Sequence, residues 1–520
     1  MSFPKLLSAL ASVGIVLATN SPVQAQVPSP IAVAGQLDRA AVDGPAALLR
    51  ELDMILTASP DLAANAAAAV ALARAAAAPV PGFVGANMPI YRAIADRIIA
   101  AAPPSQHHAV AEAVSAALGQ IAAVDPRTAP VAPTWEHGEA ATTQPAPITH
   151  GQRIGDFTLY SDIKSGIFYD DNIYATNHST RADGVATVSP RAILQSNWEK
   201  NEFVAEAQTD LTGYYEHSRE NTADWHVSTE GRIDASDTTQ ILLGLLALQD
   251  HEDRASPDAV AGLSPTPYTQ LNAYAGIAHN IGSYSIRLGG SAEQLTFGNV
   301  MGSYGEIDQT DRNRERYSFG GLVQYDLDPA FRPYIKASGV FHEYQQRIDN
   351  FGYARSSQGA EVGLGAVLRI TEQLTGDAYV GGTTRDYQDT WFRDVNTSVA
   401  TAYLRWEPTY ETVMVLFFNR SLEETTLPGS PGYIYNIVGG RIEQALTENL
   451  TGILRAAVAR AEFVDTSRND DEGDFSVGLR YSLTEYVTLG CDYRYTVRTS
   501  VSEYADYGRN QAFFRVNVAF

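Results

Sequence analysis

A single cysteine, Cys491, serves the 520 residues of this chain. An intramolecular disulfide is therefore impossible, and so is a zinc site built on cysteine. Positive charge is scarce as well: lysine and arginine number 37 against 60 aspartates and glutamates, a formal charge of −23. Nucleic acid is an unsuitable partner, because phosphate binding needs a basic footprint. Long apolar runs are missing too. Beyond the N-terminal segment no stretch of eighteen or more apolar residues goes uninterrupted, and the Ala-rich run 63–78 carries Asn65 and Arg74. A chain of this kind that crosses a membrane must do so with strands. Catalytic signatures are also absent. There is no Gly-x-Ser-x-Gly elbow, no His-Glu-x-x-His, and His226, set among Glu230 and Asp234, has no nucleophile beside it. The expectation is that the protein is not an enzyme and carries no cofactor.

What is present divides the chain into four parts. Residues 1–25 read as a secretory signal, with Lys5, an apolar run from Leu6 to Ala18, and a small-residue cleavage site ending at Ala25. Residues 34–124 are rich in Ala, Leu, Ile and Val and predict helices over Leu37–Leu56, Asp61–Ala77, Asn87–Ala101 and His107–Ala122. Gly44-Pro45 threatens the first of these, and Ile90, Ile94, Ile98 and Ile99 share one side of the third. His107 and His108 are adjacent, so they point apart on a helix and make a surface pair rather than a metal site. Residues 125–150 are a Pro-, Ala- and Thr-rich linker.

From residue 151 onward the period is two. Trp225, Val227 and Ile233 oppose His226, Glu230, Arg232 and Asp234; Val362, Leu364 and Ile370 oppose Glu361 and Arg369. The connections alternate between short turns and longer polar loops, giving about eighteen strands, with sixteen the nearest alternative. A soluble propeller should repeat a motif in each blade, and none is found. A sandwich of so many strands would expose edges and one apolar face, and closure in a bilayer removes both problems. The expected fold is a transmembrane antiparallel up-and-down β-barrel preceded by a small Ala-rich helical periplasmic module. Tyrosines and tryptophans near strand ends, among them Tyr214, Tyr334, Trp391-Phe392 and Trp406, are expected to form interfacial girdles. In the last strand Phe514, Val516, Val518 and Phe520 share the apolar face, the form of an outer-membrane insertion signal.

One stretch carries a family likeness. A first strand ending in Tyr169-Asp170-Asp171-Asn172-Ile173-Tyr174, followed by a second beginning Val188-Ser189-Pro190-Arg191, resembles the putative β-barrel porin 2 family of Gram-negative outer-membrane proteins. The resemblance covers about residues 155–520. It implies an association with exopolysaccharide production and export, and it leaves the helical front unexplained.

Alternation assigns the pore-lining face. Arg191, Arg232, Arg287, Lys336, Arg369, Arg405, Arg455, Arg480, Arg494 and Arg515 should point inward, with Glu206, Glu230, Asp234, Glu361 and Asp492. On the lipid face a charge near midplane would cost about 2–4 kcal/mol. Acidic loop clusters such as Asp170-Asp171 and Asp470-Asp471-Glu472 are candidates for holding divalent cations beside lipopolysaccharide, with solvated charge the simpler reading. The functional expectation is a porin-like conduit for hydrophilic solutes. The alternative is a non-conducting barrel that anchors the helical module for a periplasmic partner. Outer-membrane lipid, lipopolysaccharide and the barrel-assembly machinery are the other partners expected.

Overall fold

The computed structural model describes residues 45–63 and 151–520, the latter without 199, 327, 329, 503 and 504, together with residues 37, 69, 72, 73, 94, 97, 98 and 100–103. Ala25, His107, His108 and the linker 125–150 lie outside the described residues.

In the helical front, α1 spans Pro45–Ala58. Leu37 is helical too, and α1 begins at Pro45, where the sequence threatened a break and where a missing N–H costs nothing in a first helical turn. Leu48, Leu52, Ile55 and Leu56 are its buried stripe, and Leu37, Ile94 and Ile98 are buried as well. Arg97 Nε lies 3.0 Å from Asp53 Oδ1 and ties the 94–103 segment to α1.

Eighteen long strands form the rest. They are β1 (Phe157–Asp170), β2 (Asp183–Ser196), β3 (Glu202–Tyr214), β4 (Thr222–Ser236), β5 (Thr239–His251), β6 (Pro267–Ile281), β7 (Tyr284–Phe297), β8 (Arg314–Tyr325) and β9 (Phe331–Tyr344). There follow β10 (Ser357–Arg369), β11 (Leu374–Tyr387), β12 (Val395–Thr409), β13 (Thr412–Glu424), β14 (Gly432–Ala445), β15 (Leu450–Phe463), β16 (Asn469–Ser482), β17 (Val487–Ser500) and β18 (Tyr507–Ala519). Each pairs antiparallel with its neighbour in sequence, and β18 returns to β1 with Ala519 opposite Asp162 and Gln511 opposite Asp170. The Phe520 N–H donates to the Ser161 carbonyl at 2.8 Å. The ring is closed, and it has the strand number expected from the alternation.

Two smaller pieces decorate it. A short strand, Gln152–Ile154, folds back on the start of β1 through Gly155, whose φ of +61° only glycine adopts without strain. A hairpin of Val300–Gly302 and Gly305–Ile307 stands in the loop after β7.

The alternation sorts side chains between two solvents. Ile167, Leu245, Phe319, Leu364, Val380, Leu416 and Val477 all face outward and are 55–63% exposed. So continuous an apolar band cannot face water, and it matches the hydrocarbon of a bilayer. Phe514 and Phe520 belong to this outer face, at 47% and 57% exposure.

The girdle expectation needs correction at three residues. Tyr334 is only 6% exposed and faces inward, where its hydroxyl donates to Asp377 Oδ1 at 3.0 Å. It fits there because its ring covers Gly365, where a Cβ would fall 2.2 Å from the ring. Tyr214 shares the inward face of β3 with Gln208 and Asp210, and is paired with the buried Val185. Phe392 lies in the β11–β12 loop, stacked on Tyr353 with ring centroids 4.9 Å apart.

Candidate functional site: the inner wall and its roof

The residues expected on the inner face share one register face, and most are paired. Arg191 Nε lies 2.7 Å from Asp162 Oδ1, and its Nη1 3.9 Å from Glu206. His226 Nε2 approaches the same glutamate at 3.5 Å. Arg232 joins two strands, with Nη1 3.0 Å from Glu202 and Nε 2.9 Å from Asp234. Lys336 Nζ is 3.2 Å from Glu361, which also accepts the Tyr379 hydroxyl at 2.9 Å. Arg405 pairs with Glu407, Arg494 with Asp474 and Arg515 with Asp492, while Arg480 reaches Glu443 at 3.3 Å. Arg287 stands opposite Leu322, Arg369 opposite Thr375, and Glu230 is exposed opposite Gly244. Arg455 stands opposite Arg441. The wall is thus a lattice of ion pairs, some within a strand and others between neighbouring strands. Such pairs brace the barrel and at the same time present charge to its interior.

The second part of the site comes from a loop. Residues 252–266 connect β5 to β6, yet they are held both by the neighbouring β7–β8 loop and by the far side of the ring. Glu252 pairs with the buried Arg312 at 2.5 Å, and Asp253 lies 3.7 Å from Arg509. The Ala255 carbonyl accepts from Arg498 Nη1 at 2.5 Å, and the Pro257 carbonyl from Arg468 Nη1 at 3.3 Å. Asp258 accepts from the Thr425 hydroxyl at 2.5 Å. Thr425 follows β13 and Arg468 precedes β16, so the segment crosses the long-loop mouth of the ring. Beneath it lies a cavity of about 330 Å³ walled by Tyr268, Glu293, Arg314, Tyr433, Glu472 and Arg494, among others. The edge of the roof is itself anchored. Arg355 donates to the carbonyls of Thr425 at 2.7 Å, Ser430 at 2.9 Å, and Thr426 and Leu427 at 3.1 Å, and its Nε meets Asp349 at 2.5 Å. Burial alone would lower the Arg312 guanidinium, but the Glu252 carboxylate more than offsets this and holds it above its ordinary value.

The acidic loop residues are engaged within the protein. Asp170 accepts from the Asn172 N–H and from Gln511, both at 2.8 Å, and Asp171 accepts the Asn510 N–H at 2.7 Å. Asp470 is held by Arg468 at 2.7 Å. Among the described residues, no group of three or more His, Cys, Asp or Glu is placed to hold a metal ion.

Sequence reasoning missed Arg441, the roof, and its clamps Arg312, Arg355, Arg468 and Arg509. For Arg441 the signal existed, since it alternates with Gly440 and Ile442 in a strand. For Arg312, Arg355 and Arg468 it did not, because loops have no period from which a contact can be read.

The family model described as Putative beta-barrel porin 2 matches residues 145–520 of the chain. Similar solved structures include Pseudomonas aeruginosa OpdQ, with 12% identity over 71% of this chain and 99% of that one and a TM-score of 0.39. The structure of Pseudomonas aeruginosa OpdK with vanillate is 10% identical over 70% and 99%, with a TM-score of 0.38. Acinetobacter baumannii OccAB3 is 12% identical over 70% and 99%, with a TM-score of 0.39. No curated protein matches the chain.

Proposed function

The chain belongs to the putative β-barrel porin 2 family, and from this outer-membrane porin barrel we propose a passive conduit for hydrophilic solutes that serves the export of a polysaccharide. One observation supports the conduit above the others: a closed ring of eighteen strands whose inner wall is lined with charge. A ring of this strand count encloses an aqueous space, and charges on its wall set the field a solute meets. The residues expected to line the path, from Arg191 to Arg515, carry this role in the proposal. The link to exopolysaccharide rests on the family resemblance, helped by inward tyrosines and amides that can contact sugar hydroxyls.

Topology supports the placement. The start of β1 and the end of β18 both lie at the short-turn end, which in bacterial barrels is periplasmic. The helical front then belongs in the periplasm, where it can meet an export partner. The terminal strand with Phe514, Val516, Val518 and Phe520 is the element offered to the barrel-assembly machinery, and the apolar band meets lipid and lipopolysaccharide.

The roof favours a second reading. A loop fixed to the far wall by several arginines suits a closed barrel that anchors its helical module. Single-channel recording in planar bilayers separates the two. Discrete conductance steps from the full chain are the expected result. Silence from both the full chain and a 151–520 fragment would favour the anchor.

A further inference from the structure

The cavity under the roof is walled by polar groups that the fold itself does not satisfy. β17 runs toward the long-loop mouth, and Arg498, Thr496 and Arg494 descend its inner face from there. Arg498 is taken up by the roof, donating to the Ala255 carbonyl. The two residues below it keep hydrogen-bonding capacity in reserve. Thr496 is 6% exposed, and among the described residues its hydroxyl has no hydrogen-bond partner. Arg494 is 4% exposed, and its Nε and Nη2 both donate to Asp474. Its Nη1 has no partner among the described residues. On the next strand Arg509 stands opposite Thr496, and its Nε lies 4.0 Å from Asp170, beyond hydrogen-bond reach. All three residues line the cavity. Buried polar atoms in folded proteins almost always find a partner, so three such atoms on one patch of wall mark a place that a ligand completes.

The rest of the lining says what that ligand is. Acceptors interleave with the donors. Glu472 is 3.9 Å from Arg498 and Glu293 is 3.8 Å from Arg316, contacts at the outer limit of an ion pair. An ionised carboxylate offers about four lone-pair sites, so each can accept further donors. Tyr268, Tyr433, Tyr435 and Tyr507 add aromatic surface, and the volume of about 330 Å³ is that of a small ligand pocket. A hydroxyl donates and accepts through one atom, and a sugar ring carries several of them around a body that packs on aromatic rings. Lining carboxylates outnumber arginines eight to five, which disfavours a polyanion.

We propose that the cavity under the roof is a binding subsite for an uncharged saccharide, with Thr496 and Arg494 recognising its oxygens. The inference rests on the conduit reading and gives its polysaccharide a charge class. Thr496 Oγ1 and Arg494 Nη1 bond to sugar oxygens, Glu472 and Glu293 accept from sugar hydroxyls, and the tyrosines carry the ring faces.

Calorimetry on the full chain, in a detergent without a sugar head group, tests it. The probes are maltotriose, cellotriose, tri-N-acetylchitotriose and trigalacturonate. Saturable binding of at least one of the three neutral trisaccharides is expected, tighter than that of trigalacturonate. T496V keeps the outline of the side chain and deletes its hydroxyl. It should weaken that binding by about two- to tenfold. The melting temperature of the unliganded barrel should hold or rise, because an unpaired buried hydroxyl gives the fold nothing. A merely structural Thr496 would do the reverse, lowering the melting temperature and leaving the affinity alone. R494K retains a cation beside Asp474, loses Nη1 and should weaken binding as well. Preference for trigalacturonate over all three neutral probes, absence of binding to any of them, or affinity unchanged in both variants overturns the proposal. The conduit is read separately: a silent bilayer with saccharide binding intact sinks the conduit and leaves the subsite, whereas conductance without binding sinks the subsite alone.

Discussion

Arg232 shows how a single side chain can matter more to the wall than to the solute passing it. It is 6% exposed and bonded to carboxylates on its own strand and on β3. Removing one partner of a buried ion pair leaves the other charge uncompensated, at about 3–5 kcal/mol. R232A is therefore expected to unfold at clearly lower urea concentration in lipid vesicles, followed by the loss of heat-modifiable gel mobility. An unchanged midpoint would show that water already screens the pair. Asp311, in the β7–β8 loop, gives a pH effect of known sign. Burial raises its carboxyl above the ordinary value, and Asp349 and Asp308 add to this. A raised acid binds its proton more tightly in the folded loop. Its contribution is present at low pH and is lost as pH rises through the raised value. D311N should remove this dependence and protect the Asn350 amide, which donates to Asp311, against hydrogen exchange at neutral pH. Faster exchange would contradict it.

At the scale of elements, the strands were legible and the roof was not. Strands declare themselves because every second side chain meets the same solvent, so Val362, Leu364 and Ile370 announce a lipid face within one short run. The number of strands followed from counting turns. The inward face of Arg232 or Arg494 followed from the same parity, whereas the partner of each came only with register, which pairs residues far apart in sequence. Tyr334 went wrong for the same reason, because the glycine under its ring is on the next strand. The contacts of 252–266 obey no periodicity at all. Its expected behaviour can nonetheless be stated. The double variant R468A/R498A removes the hydrogen bonds to the Ala255 and Pro257 carbonyls, bonds from charged donors worth about 1.5–3 kcal/mol each. Single-channel conductance should become larger and noisier as the roof loosens. An identical conductance would place the loop away from the path.

For the whole molecule, the exposed apolar band sets the solvent. A purified fragment of residues 151–520 should require detergent, insert into liposomes and give a β-rich circular dichroism spectrum. A soluble monomer without detergent would be incompatible with Ile167, Leu245 and Leu364 lying open on one continuous face. Residues 34–124 should instead give a soluble, helical fragment, and a strand-rich spectrum would refute that expectation.

The seam of the ring has a mechanical consequence. β18 is too short to cover the whole free edge of β1: its pairing begins at Asp162, with one further bond from Phe520 to Ser161. The first residues of β1, Phe157 to Leu159, are covered by Gln152–Ile154 instead. Tension on the N-terminal tether therefore arrives first at this three-residue strand, pulling it away from β1 one bond at a time. It would peel before the ring, whose long strands resist in shear, took up any load. The short strand acts as a mechanical fuse, letting the N-terminal segment be tugged without opening the wall in the membrane.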